Sequence, residues 1–396
     1  MGRAAQGHHP RPHAFGSHPR AAAARTIVGW IALALTAVTP PGPALAQSAV
    51  AYEVVAPPSE SRALRGDDGV ACARSPAGKG SACPRGVTRA YVLGIAHLGR
   101  TDIGPLDPCI AAAIDRADAI AVEARTDGAF GERARESLAR AALIPPASLA
   151  EQLPAALHAT LMRALHARGV RADAFEDRKP WLVAIALTAD ELARYGYRPR
   201  YGIDSRLVVH LREAKHIVEL EGADLQLAAL DALPLEFQQL MLARALDSLP
   251  KLPDTVARIE QLLAVGDADG LAELLFADAQ GEPAVARLHE AIYHARSEQM
   301  ADRIAGAIAD GRRWVVLVGA GHVVGERGIA ARLAARGYGV RRIALGVQAG
   351  AAQRPVRTSD PALRAGELGR APWTLLGEER IATGAVPASV APAVCD

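Results

Sequence analysis

Between residues 90 and 345 short apolar runs of β character alternate with stretches of helical period. Ala90–Leu93 (AYVL), Ala119–Val122 (AIAV), His216–Leu220 and Trp314–Val318 (WVVLV) read as strands, with a last one near Val340–Leu345. Between them the spacing changes. Ile110, Ala113, Ile114 and Ala117 recur at i, i+3, i+4 and i+7 behind Asp107-Pro108, an N-cap followed by a proline at the first helical position. Ser148 and Glu151 make a capping-box pattern ahead of Leu157, Leu161 and Leu165, with Gly169 as the stop. Asp204 reads as the cap of a helix through Leu207, Val208 and Leu211. Pro234 opens one carrying Phe237, Leu240, Met241 and Ala245, and Pro283–Asp310 is a long helix ending at Gly311. Strand–helix alternation on this scale predicts an α/β fold, with a largely parallel or mixed central sheet flanked by helices.

The periodic body covers 87–346. Residues 47–86 are rich in Pro, Gly, Ser and charge and read as a linker that includes a loop between Cys72 and Cys83; residues 347–396 read as an irregular tail. Residues 1–46 read as a signal peptide. Arg3, Arg11, Arg20 and Arg25 form a basic flank, Ile27–Val38 (IVGWIALALTAV) is the apolar stretch, and Ala44-Leu45-Ala46 offers a cleavage site before Gln47. The expected location is therefore periplasmic or secreted, with an uncleaved inner-membrane anchor through 27–38 as the alternative. That run is short for a spanning helix, so no stable membrane span is expected once the signal is removed.

Composition adds exclusions. Half the chain is apolar but only 4% aromatic, which suits Ala/Val/Leu-rich helices on a parallel sheet. The net charge of +2 comes from 45 basic and 43 acidic residues, so there is no electrostatic footprint for nucleic acid. In an oxidising compartment a Cys72–Cys83 bridge would leave Cys109 and Cys395 as a second pair, although four cysteines allow three connectivities. None lies in a C-x-x-C pattern, which argues against a thiolate metal site.

The candidate chemistry gathers at strand ends. Gly94-Ile95-Ala96-His97 follows one strand and Gly319-Ala320-Gly321-His322 follows another: an apolar run, then G-x-x-H. Gly94, Gly319 and Gly321 permit tight chain reversal, and the pairing suggests a pseudo-two-fold repeat with one motif in each half. Two more strands end in acids, at Glu123 and Glu221. If the sheet is parallel, all four side chains meet at its carboxyl edge, where open α/β sheets place their sites. Two imidazoles and a carboxylate suit a divalent metal, and a second carboxylate can act as general base. Set against this, Glu123 and Glu221 can be solvated loop acids and Asp204 simply a helix cap. His158, His166, His289 and His294 read as surface positions on helices, and His210 and His216 lack a strand-end placement.

The order of segments resembles the TraB/GumN family, related to the Tiki proteases of animals. The resemblance is carried by VLGIAHLGRTDIGPLDPCIAAAIDRADAIAVEAR, KPWLVAIAL, YGIDSRLVVHLREAKHIVELEGADLQLAALDALP and WVVLVGAGHVVGERGIAARLAARGYGVRRI. It implies a metal-dependent hydrolytic centre at His97, Glu123 and His322. Zn²⁺, Mn²⁺ and Co²⁺ all fit that donor set, and the expected substrate is a peptide or protein. The resemblance also brings in Glu221, and Asp204 and Arg296 as further site positions. Arg296 matches a place where the family has Arg followed by Asn, and Ser297 stands here instead of the amide. Ile95 and Gly222 replace threonines common in the family. Two other classes stay open: a non-catalytic envelope protein that binds a peptide or partner through the same cleft, and a haem-binding protein, since the wider fold group includes erythromycin-esterase-like and ChaN-like proteins.

Overall fold

A computed structural model describes residues 49–56, 89–100, 108–125, 132–133, 136–138 and 148–343. The signal-peptide segment, the Cys72/Cys83 loop and the 347–396 tail lie outside the described residues. Six strands form one mixed sheet: β1 (Val50–Val55), β2 (Arg89–Ile95), β3 (Ala119–Val122), β4 (His216–Glu219), β5 (Trp314–Gly319) and β6 (Gly339–Ile343), in the order β4-β3-β5-β2-β1-β6. The first four in that order are mutually parallel; β1 runs antiparallel to both β2 and β6. The α/β expectation holds, with the mixed form of the sheet.

β1 corrects the linker reading of 47–86, because VAYEVV is a sheet strand between β2 and β6. Its flanks are rich in Pro, Gly and charge, which hides a six-residue β run when composition is averaged. Val50 and Val54 are fully buried, and Glu53 receives the Arg341 guanidinium from β6 at 2.9 Å.

β5 is the central strand and reads as one, since all of Trp314–Val318 is buried. Period-2 alternation splits its side chains between two cores. Trp314, Val316 and Val318 join Val92, Ala121, Met300, Ile304 and Leu333 on one face. Val315 and Leu317 join Leu93, Ile95, Ile110, Ile114, Leu207 and Val208 on the other. A separate helical cluster forms around Pro180–Arg194, which is apolar on nearly every side and buries Trp181, Val183 and Leu187 completely. Its two acids, Asp190 and Glu191, are buried too. Arg168 donates to Glu191 at 2.8 Å and Arg194 to Asp190 at 3.0 Å.

Local signals in the sequence are reproduced. Ser148 and Glu151 form the capping box, on a short helix Leu149–Gln152 that precedes Ala155–His166, and Gly169 adopts φ 70° after it. The long helix is continuous but contains a wide π-turn at Glu290–His294, between Pro283–His289 and Ala295–Ile308. Among the described residues no helix is long and apolar enough to cross a membrane. Cys109 is disulfide-bonded, and the other three cysteines lie outside the described residues.

Candidate active site

Because β2, β5, β3 and β4 are parallel neighbours, their carboxyl ends share one edge, and the two G-x-x-H motifs sit on adjacent strands. Their glycines are offset by one residue in register: Gly94 faces Val318, while Gly319 faces Ile95. Gly94 is buried inside its strand, where an added Cβ would meet Val50 Cγ2 at 2.6 Å. Gly319 ends its strand and starts the helical turn Ala320–Val323 that carries His322. Beyond β3 and β4 the ladder continues, with Leu220 N–H donating to Val122 O and Glu221 N–H to Glu123 O, which fixes the two acids side by side.

Glu123 is the hub. Its Oε2 accepts the Gly319 N–H at 2.9 Å and lies 3.2 Å from His97 Nε2; its Oε1 accepts from Arg296 Nη2 and Gln226 Nε2, both at 2.8 Å, and lies 3.7 Å from His322 Nε2. Arg296 also donates from Nε and Nη2 to Glu221, and from Nη1 to Ile292 O at 3.0 Å. The solvated-loop reading of both acids is thereby corrected: Glu123 is 6% exposed and the Glu221 side chain 5%. Buried carboxylates need partners, and here one guanidinium serves both.

Asp204 needs a similar correction. Gly202 is the N-cap of Ile203–Leu211, and Asp204 sits in the first turn, where its Oδ2 lies 2.7 Å from His97 Nδ1. Gly202 makes this approach feasible, since a Cβ there would come 2.3 Å from His97 O. His322 is anchored through the same ring atom, its Nδ1 lying 3.0 Å from Ser297 Oγ. Each imidazole is thus held by Nδ1 and turns Nε2 towards Glu123. Carboxylate or hydroxyl partners on the far nitrogen of a histidine are what orient metal ligands.

The two imidazoles differ in charge. Burial opposes a proton on His97, but Asp204 and Glu123 outweigh it and push the ring up to about 10, so it is an imidazolium near neutrality. Burial holds His322 down at about 3, aided by Arg296 and His97 against the pull of Glu123. Burial would raise Glu123, yet the facing groups His322, His97 and Arg296 hold it well below the usual carboxylate range. Since His322 is neutral, we assign that depression to His97 and Arg296.

Among the described residues no group of three or more His, Cys, Asp or Glu side chains stands as a ready metal cage. The reason is visible in the contacts: His97 Nε2 and Glu123 Oε2 are turned on each other rather than on a common third point. The donor set and charge nevertheless fit a divalent cation. Asp204, Glu123 and Glu221 against Arg296 leave a formal charge of −2 when both rings are neutral, and the His97 proton offsets only half of it. Gly319 keeps the approach open, because a Cβ there would fill the space 2.9 Å from His97 Nε2 and 3.3 Å from Glu123 Oε2.

All of His97, Glu123, Glu221, Asp204, Arg296 and His322 therefore converge on one edge. Gln226 and Ser297 join them. Gln226 carries no signal in the sequence, while Ser297 is marked only by its departure from the family's asparagine. His289 corrects a surface assignment: it is 2% exposed and packs edge-on against Phe276 and Tyr293, away from the hub. His294 is half-buried beside it, 5.3 Å from the Phe276 ring. His216 starts the edge strand β4, exposed beside Trp314.

Comparison with known proteins identifies relatives of the chain. The chain is 29% identical over 150 residues to the uncharacterized protein YbaP of Shigella flexneri, covering 38% of this chain and 54% of that one. To YbaP of Escherichia coli (strain K12) it is 29% identical over 145 residues, 36% of this chain and 52% of that one. The chain thus spans about half the length of the curated relatives it matches. No solved structure matches it. The model of the TraB/PrgY/gumN family matches residues 84–342, a span that holds every strand but β1 nearly whole and every residue of the hub, and the chain belongs to that family.

Proposed function

We propose that the chain is a metal-dependent hydrolase of the periplasm or the secreted fraction, acting on a peptide or protein, with its centre at His97, Glu123 and His322. The observation that carries this reading is the convergence of two anchored Nε2 atoms on one buried carboxylate, 3.2 and 3.7 Å away. A divalent cation (Zn²⁺, Mn²⁺ or Co²⁺) bound there would act as a Lewis acid and lower the pKa of water. The protein's own part is to hold the donors. Asp204 accepts the Nδ1 proton of His97 and raises the basicity of Nε2. Gly319 N–H, Gln226 and Arg296 keep Glu123 ionised and fixed. Glu221 uses both oxygens on Arg296, so its task is to hold that guanidinium rather than to take a proton from water. Export rests on the leader-like segment and is supported by the disulfide at Cys109.

A second reading has an observation of its own. The acceptor sites of Glu123 are all engaged, by Gly319, His97, Gln226 and Arg296, as in a structural charge cluster that shapes a binding cleft. Metal content by mass spectrometry decides between them, on protein purified without chelating tags beside His97→Ala and His322→Ala. Near-stoichiometric metal lost in both variants, together with metal-dependent peptide cleavage, supports the hydrolase. No metal uptake by the wild type after incubation with Mn²⁺, Co²⁺ or Zn²⁺ sinks it in favour of the binding protein.

A further inference from the structure

Ser297 is 1% exposed and touches two groups. Its Oγ lies 2.7 Å from Tyr293 O and 3.0 Å from His322 Nδ1. A serine hydroxyl has one proton. The carbonyl of Tyr293 has none, so an O···O contact of 2.7 Å is attractive only if the serine proton lies in it. That proton is thereby committed, and the contact to His322 must be filled from the ring: Nδ1–H donates to Oγ. The neutral imidazole is then unprotonated at Nε2, the atom that faces Glu123.

The scaffold for this is the π-turn at Glu290–His294, where the Ala295 N–H reaches back to Glu290 O. Its carbonyls hold both side chains of the next turn, Ile292 O taking Arg296 Nη1 and Tyr293 O taking Ser297 Oγ. Wide turns of this kind occur as single insertions in helices, frequently at functional sites. The Tyr293 ring packs against His322 with centroids 5.5 Å apart, and Gly321 gives it room, because a Cβ there would stand 2.8 Å from Tyr293 Cε1.

We infer that Ser297, held on the π-turn carbonyl of Tyr293, is a positioning residue that fixes His322 as the Nδ1–H tautomer with its Nε2 lone pair turned into the site. The geometry stands independently, and only its consequence for metal affinity rests on the hydrolase reading.

The test is long-range ¹H–¹⁵N correlation spectroscopy of the histidine rings in the metal-free full chain, with His322 assigned by its loss in His322→Gln. The wild type should show a protonated Nδ1 and an unprotonated Nε2. Ser297→Ala should move the ring to the Nε2–H form or to an averaged pair of shifts, and Ser297→Thr should restore the wild-type pattern. An Nε2–H tautomer in the wild type, or an unchanged pattern in a folded Ser297→Ala, overturns the inference; the wild-type spectrum decides even if that variant fails to fold. If the hydrolase reading also holds, metal affinity should fall about 10–100-fold in Ser297→Ala and recover in Ser297→Thr. A correct tautomer in a protein that takes up no metal refutes the hydrolase reading alone.

Discussion

Gly319→Ala isolates the geometry of the site from backbone effects. Gly319 has φ −54° and ψ 133°, which alanine adopts without strain, so the substitution adds only a methyl group. That methyl would sit 2.9 Å from His97 Nε2, half an ångström inside the 3.4 Å where ordinary contact begins, and 3.3 Å from Glu123 Oε2. Neither neighbour yields freely. His97 is tied to Asp204, and Glu123 to Arg296, Gln226 and the Gly319 N–H itself. Overpacking of this kind costs about 1–3 kcal/mol, partly offset by ~0.4–1 kcal/mol from stiffening the unfolded chain. The net is roughly 1–2 kcal/mol, or a fall in Tm of about 2–8 °C for a body of this size. A shift of about half an ångström in a catalytic group should also lower any hydrolytic rate by on the order of tenfold, given ~10²-fold for a full ångström. The assay is thermal unfolding of the metal-free protein, followed by metal content and turnover. Gly306→Ala serves as the control, since nothing lies within 4 Å of its Cβ and a helix interior favours alanine. If Gly319→Ala matches the wild type in Tm, metal content and turnover, the close approach of His97 and Glu123 to this backbone is refuted.

Removing the clamp should be costlier. Arg296→Gln leaves Glu123 and Glu221 buried without their shared cation, and urea unfolding should show a loss of about 3–5 kcal/mol; Arg296→Lys should recover little, because an ammonium cannot serve three carboxylate oxygens in fixed directions. A loss under ~1 kcal/mol in Arg296→Gln would show that the acids are solvated. Acid should weaken the π-turn region: burial lowers His289, against the pull of Asp278 and with the help of Arg244, so its contribution to stability is complete above its unfolded value of ~6.5 and is lost as pH falls below it. As pH falls below 6.5 the wild type should therefore lose stability through this group, and His289→Leu should lose less. Equal slopes for the two proteins in chemical unfolding at pH 6.5 and 5 would rule His289 out as the cause.

Several elements were legible in the sequence because they follow from short-range chemistry. Trp314–Val318 is a run of β-formers bounded by Arg313 and Gly319, and a strand buried on both faces looks like that. Ser148 and Glu151 satisfy each other three residues apart, a relation any local reading detects. The G-x-x-H tetrads and the acid after Val122 were visible as strand endings, and parallel pairing then placed them together. β1 was missed because pairing defines it: VAYEVV is a strand through its pairing with β2 and β6, whose partner residues lie 34 or more positions away along the chain.

What only the tertiary structure decided is the work assigned to each side chain. Asp204 has the sequence position of a helix cap, and only the arrival of His97 from 107 residues away makes it an imidazole acceptor. Glu221 looks like a free base until Arg296 crosses from the long helix to occupy both its oxygens, and Gln226 has no pattern at all. The cause is the range of the forces. Propensity, capping and alternation act over a few residues and leave a period in the sequence, whereas a buried hydrogen-bond network is satisfied by whichever donors the packing of distant elements delivers.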